Sequence, residues 1–63
     1  MNNIKRYRTS QNLSQIELSN LSGVPVQTLR DWEQERKEPT NVYQIHKVAK
    51  VLGCTIEQLI VFE

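Results

Sequence analysis

One cysteine, Cys54, rules out an internal disulfide and any multi-cysteine metal cluster. The one histidine, His46, has no second ligand at metal-binding spacing, so no metal site is expected. Ser/His/Asp and Cys/His arrangements are missing, as is a phosphate-cradling glycine loop. Neither catalysis nor a cofactor is therefore expected. No apolar run approaches the roughly 20 residues that cross a bilayer, and no signal-peptide pattern is present. A cytoplasmic protein with no membrane partner is the expectation. Charge of one sign is also lacking: the formal net charge is +1, so global charge argues only weakly for a polyanionic partner.

What is present is an ordinary soluble composition, 38% hydrophobic and 24% charged, which excludes a disordered tail. A chain of 63 residues implies one small domain, 1–63, only marginally stable alone. Helices packed around one shared core, or dimerisation, would compensate. The basic residues are unevenly spread. Lys5, Arg6 and Arg8 cluster near the start, while Arg36 and Lys37 form a second pair and Lys47 and Lys50 share a later segment.

The organising stretch runs from Leu13 to Glu33, LSQIELSNLSGVPVQTLRDWE. Ser14 followed by Glu17 has the spacing of a capping box and predicts a helix over about 15–22. Its register turns Leu18 and Leu21 toward one side. Gly23 can take positive φ and stop that helix, and Pro25 is tolerated where the next one starts. A second helix over about 26–33 then buries Leu29 and Trp32. Two helices joined by such a tight turn form a helix-turn-helix, whose second helix can lie in a DNA major groove.

The flanking segments read as helices too. Helix 1 is expected over about 3–11, with Ile4, Tyr7 and Arg8 on one face and Asn12 ending it. An arginine on an otherwise buried face needs a partner. Gln34 to Thr40 reads as an exposed loop that Pro39 keeps from helix. Asn41 with Gln44 opens helix 4, about 42–52, carrying Val42, Ile45, Val48, Ala49 and Leu52 at helical spacing and capped by Gly53. Thr55 with Gln58 opens a last helix, about 56–61, carrying Ile56, Leu59 and Ile60. The expected fold is all-α, five helices around a central helix-turn-helix.

Taken together, Arg8, LSQIEL (Leu13 to Leu18), SGV (Ser22 to Val24), TL (Thr28, Leu29) and WE (Trp32, Glu33) resemble the phage repressor and Cro-like helix-turn-helix family, often called the Xre family. The later VAKVLGCTIEQL segment (Val48 to Leu59) resembles that family's last two helices, so the likeness covers essentially the whole chain. It implies a lambda-repressor-like DNA-binding domain. This chain departs from the family pattern in having Glu35 where glycine is usual, Pro25 where Ser or Thr is common, and a slightly altered loop before helix 4.

The resemblance implies roles for individual residues. Arg8 and Glu33 would form a partly buried ion pair tying helix 1 to the recognition helix, and the planar guanidinium fork suits a carboxylate. Gln15, at the start of helix 2, would contact a phosphate and brace the first recognition residue, where a helix N-terminus also favours an anion. Val26, Gln27, Arg30 and Asp31 are the candidates for reading bases. Gln pairs with adenine, Arg with guanine, Val packs on a thymine methyl, and Asp can accept from cytosine. Asp31 has the alternative of holding Arg30 or another side chain in place. Thr28 suits a helix–helix contact with a phosphate bond, and Arg36, Lys37, Lys5 and Arg6 are phosphate candidates whose alternative is simple solvation. Trp32 is assigned to the core rather than to base stacking, and Cys54 to the role of a small hydrophobe.

Val61 and Phe62, in an apolar C-terminal IVF, are candidates for a dimer interface that would match paired half-sites; the alternative is that Phe62 folds onto its own core. Three functions follow. The first is a sequence-specific regulator of transcription, a repressor that binds double-stranded operator DNA as a homodimer, either Cro-like or the DNA-binding part of a larger protein. The second is a helix-turn-helix antitoxin, which would bind a toxin partner as well as DNA; TLRDWEQ followed by a proline resembles such proteins. The third is a helix-turn-helix used only for protein interaction.

Overall fold

The computed structural model describes residues 2–60, and within them the chain forms five helices with no strand. They are α1 (Ile4–Ser10), α2 (Gln15–Ser22), α3 (Val26–Glu33), α4 (Val42–Leu52) and α5 (Ile56–Leu59). Local chemistry fixes most of the starts. Ser14 Oγ accepts from the Glu17 N–H at 3.0 Å while the Glu17 carboxylate accepts from the Ser14 N–H at 3.0 Å, a complete capping box. Hydrogen bonding from the Ser14 backbone N–H, and after it from the Ser14 hydroxyl, holds the Glu17 carboxyl below its ordinary pKa. Thr55 and Gln58 form a second box at α5, and Asn41 Oδ1 caps α4 through the Gln44 N–H at 3.1 Å.

The ends depend on residues in the left-handed region. Gly23 (φ 76°) closes α2, its N–H bonded to the Ser19 carbonyl at 2.8 Å. At the end of α1, Asn12 (φ 58°) donates to Thr9 O and Leu13 donates to Arg8 O, the paired bonds of a Schellman ending. The same pair recurs after α3. The Glu35 N–H reaches Trp32 O at 3.2 Å and the Arg36 N–H reaches Asp31 O at 2.9 Å, with Glu35 at φ 57°.

That is the position where glutamate replaces the family's usual glycine, and the backbone there is left-handed all the same. A side chain in that region costs about 1–2 kcal/mol. Glycine would give part of this back in unfolded-state entropy, about 0.5–1 kcal/mol. Glu35→Gly is expected to raise stability by about 0.5–1 kcal/mol net, a few degrees in Tm. A thermal melt checks it; an unchanged or lower Tm would mean that the contacts of Glu35 outweigh the strain.

One core joins the helices. Ile4 from α1, Leu18 from α2, Leu29 and Trp32 from α3, Ile45, Val48 and Leu52 from α4, and Leu59 from α5 are all buried, with Val24 of the turn among them. Helix α2 packs on α3 and α4, α1 on α3, and α5 on α4. The two ends of the described chain meet as well. Asn2 and Ile60 form an isolated antiparallel bridge, and the Asn3 N–H donates to Leu59 O at 2.7 Å.

Three expectations need correcting. Helix α5 ends at Leu59, and Ile60 is extended (φ −112°, ψ 126°) because its backbone pairs with Asn2 instead of continuing the helix. Leu21 does not share the buried side with Leu18 and is 62% exposed. Ser22, four residues after Leu18, takes the buried place, where its hydroxyl donates to Leu18 O at 2.7 Å and accepts from the Val24 N–H. A small, satisfied residue there lets the neighbouring elements approach. Val42 opens α4 beyond the core edge and is exposed. Val61 and Phe62 lie outside the described residues.

Candidate nucleic-acid interface

The surface in question is built on α3, and its angle is set from beneath. Arg8 donates from Nε to Glu33 Oε2 and from Nη2 to Glu33 Oε1, both at 2.8 Å, the two-pronged fit of a guanidinium on a carboxylate. Its Nη1 donates to the Leu13 carbonyl, also at 2.8 Å, so the fork spans α1, the α1–α2 connection and the end of α3. Arg8 is 9% exposed and the Glu33 side chain 3%. The hydrogen bond to Glu33 raises the Arg8 pKa against the opposing effect of burial, so the charge is secure. The arginine on the face of helix 1 thus has its partner, the one the resemblance implied.

Above this pair lies a short polar chain. Gln15 Nε2 donates to Glu33 Oε1 at 3.3 Å, and Gln15 Oε1 accepts from Arg30 Nε at 3.4 Å. Gln15 at the start of α2 therefore braces Arg30 in the middle of α3, rather than a residue of its first turn. Arg30 is thereby turned toward the N-terminal end of α2.

A second cluster centres on Asp31. The residue is 8% exposed. Its Oδ1 accepts from Gln27 Nε2 at 3.1 Å and from Arg36 Nε at 3.1 Å, with Arg36 Nη2 also at 3.1 Å. Lys37 Nζ stands 3.8 Å from Oδ2. The Asp31 backbone carbonyl takes the Arg36 and Lys37 N–H groups as well. One residue thus organises both a side chain of the recognition helix and the loop after it. The i, i+4 spacing of Gln27 and Asp31 was the signal in the sequence for this pair. Nothing in the sequence announced that Arg36 and Lys37 would join it.

The remaining candidates fall into two groups. Gln27 is exposed, and Val26, Thr28 and Arg30 are half-buried, so the first turn of α3 and the turn after it present a mixed apolar and polar strip. Pro25 precedes that turn with no side-chain cap. A proline has no oxygen on its side chain with which to cap, which is what its replacement of Ser or Thr costs here. Lys5 and Arg6 are exposed on α1 and take no part in the two polar clusters just described. Trp32 is buried in the core, with its carbonyl accepting from Asn2 Nδ2 at 2.9 Å. Cys54 is half-buried against the core, and burial pushes its thiol pKa up.

The helix-turn-helix family model matches residues 4–59, nearly the full length of the chain. The chain belongs to the Cro/C1-type helix-turn-helix family. At the level of the family this makes it a DNA-binding regulator, and the family is one of regulatory rather than enzymatic domains. No individual curated protein matches the sequence significantly. Among the described residues, no helix of this helix-turn-helix protein is long and apolar enough to cross a membrane, and no group of three or more metal-ligating side chains is gathered.

Proposed function

We propose that the protein is a sequence-specific regulator of transcription that lays α3 in the major groove of its operator and acts by occupying that site, as a repressor. The observation that carries this reading is the arrangement of Gln27 and Arg30 on one helix, each oriented by a buried or braced partner. The major groove is about 12 Å wide and admits a helix about 10–12 Å in diameter, and the eight residues of α3 offer it about two turns. Val26 and Gln27 would meet bases first. Arg30, held by Gln15, would meet a guanine edge one turn later, its remaining guanidinium donors matching O6 and N7.

Around that strip, Gln15 and Thr28 would bond phosphates at the start of the two motif helices. Arg36 and Lys37 would do so from the loop after α3, and Lys5 and Arg6 from α1. These contacts fix the position of the protein without reading sequence. Two copies on half-sites one helical turn apart would complete the operator complex, as helix-turn-helix dimers do; Val61 and Phe62 are the proposed contact between them.

Lys37→Ala separates the two kinds of contact. It is expected to weaken binding to a preferred and to a scrambled duplex by the same factor. The slope of log K against log salt should fall by about one. Fluorescence anisotropy over a salt series measures both. Loss of affinity for the preferred duplex alone would instead give Lys37 a base contact and overturn this docking.

A further inference from the structure

We infer that Asp31 is the residue that sets sequence discrimination at this interface, by fixing the amide of Gln27 for adenine and holding the charges of Arg36 and Lys37 back from the phosphates. The inference rests on α3 being the helix that enters the groove.

The physical basis is the one-sided chemistry of a carboxylate. An ionised carboxylate only accepts hydrogen bonds, so it can meet the –NH2 end of the Gln27 amide and repels its oxygen. Gln27 Nε2 lies 3.1 Å from Asp31 Oδ1, which removes the freedom of the amide to flip. One N–H and the carbonyl oxygen remain for a partner. That donor and acceptor match adenine, which offers an acceptor at N7 and a donor at N6. A Gln27 free to flip would present both polarities and discriminate poorly.

The same carboxylate faces two cations, Arg36 at 3.1 Å and Lys37 at 3.8 Å, on exposed side chains that the loop carries toward the end of α3. Its negative charge offsets part of theirs. Phosphate attraction is independent of sequence and scales with the cations that reach the backbone. Asp31 therefore lowers affinity for any duplex while sharpening the choice among duplexes. It is a positioning residue, buried and without a base contact of its own.

Opposite signs make the test specific. The full chain and Asp31→Asn are each used to select duplexes from a library of random sequence, and each is titrated with one scrambled duplex over a salt series. The native chain is expected to select adenine at one position by about ten-fold or more. In D31N that preference should fall to about three-fold or less, while preferences at the other positions persist. Binding to the scrambled duplex should tighten roughly five-fold at low salt, with a steeper salt slope. A merely structural role would weaken every duplex together.

Asp31→Glu keeps the charge but moves the carboxylate by one methylene. It is expected to lose adenine preference with little change on the scrambled duplex, and it serves should D31N not fold by circular dichroism. Undiminished adenine preference in the folded variant, or weaker binding of D31N to the scrambled duplex, would overturn the inference and leave the operator reading intact. A native chain that selects no sequence at all would overturn both.

Discussion

Replacing Glu33 with alanine is expected to unfold a large part of the protein at 25 °C. The Arg8–Glu33 pair is nearly closed to solvent, and truncating one member leaves the other charge buried without a counter-charge. Loss of one partner of a buried pair costs about 3–5 kcal/mol. At the usual stability per residue, a chain of 63 residues holds only about 3–9 kcal/mol in total. Arg8 would keep its bond to the Leu13 carbonyl, which is a poor substitute for a carboxylate. Gln15 would also lose its acceptor on Glu33, which loosens the brace on Arg30.

A double substitution, Arg8→Met with Glu33→Leu, should be much less harmful than E33A alone. It removes both charges, and hydrophobic side chains of similar size can replace a buried pair at little net cost. Urea denaturation followed by circular dichroism checks both variants. An E33A midpoint close to that of the native chain would mean that the pair is hydrated and that α3 is held by its apolar contacts alone.

The second large effect concerns recognition rather than stability. Gln27→Ala is expected to abolish preference at one base pair of the operator, a loss of about 1–3 kcal/mol of discrimination. Gln27 is exposed, and Asp31 keeps Arg36 as a partner without it, so the melting temperature should hardly change. Competition anisotropy with single-base variants of the preferred duplex checks this. If Gln27→Ala kept the same base preferences, the first turn of α3 would not be facing the bases. The docking would then have to be rebuilt around Arg30.

Much of the fold was legible because its signals are local. Capping pairs three residues apart marked the starts at Ser14, Asn41 and Thr55, and glycines marked the stops at Gly23 and Gly53, all of which the structure repeats. Arg8 was legible for a different reason: a guanidinium on an apolar face demands a carboxylate, and the family likeness pointed to Glu33. Leu21 was misread because i+3 and i+4 neighbours of Leu18 are equally admissible from spacing alone. Which of them is buried depends on where α3 and α4 approach, and that is a tertiary fact. The end of α5 was misread for the same reason, since Asn2 pairs with Ile60 across nearly the whole length of the chain. Asp31 lay between two readings, base contact and brace. Its burial against Gln27 and Arg36 favours the brace.

Glu35 illustrates the opposite case. It departs from the usual glycine, yet the backbone keeps the left-handed turn, because the paired bonds from Glu35 and Arg36 to Trp32 and Asp31 satisfy the end of α3. The conformation is decided by the helix end, and the side chain accommodates it.

The central claim, that α3 reads an operator sequence, is tested most directly by anisotropy titration of the full chain against its selected duplex and a scrambled duplex of equal length over a salt series. Both affinities are expected to fall as salt rises, with the selected duplex held about a thousand-fold or more tighter. Equal, weak affinity for the two duplexes at every salt concentration would contradict it.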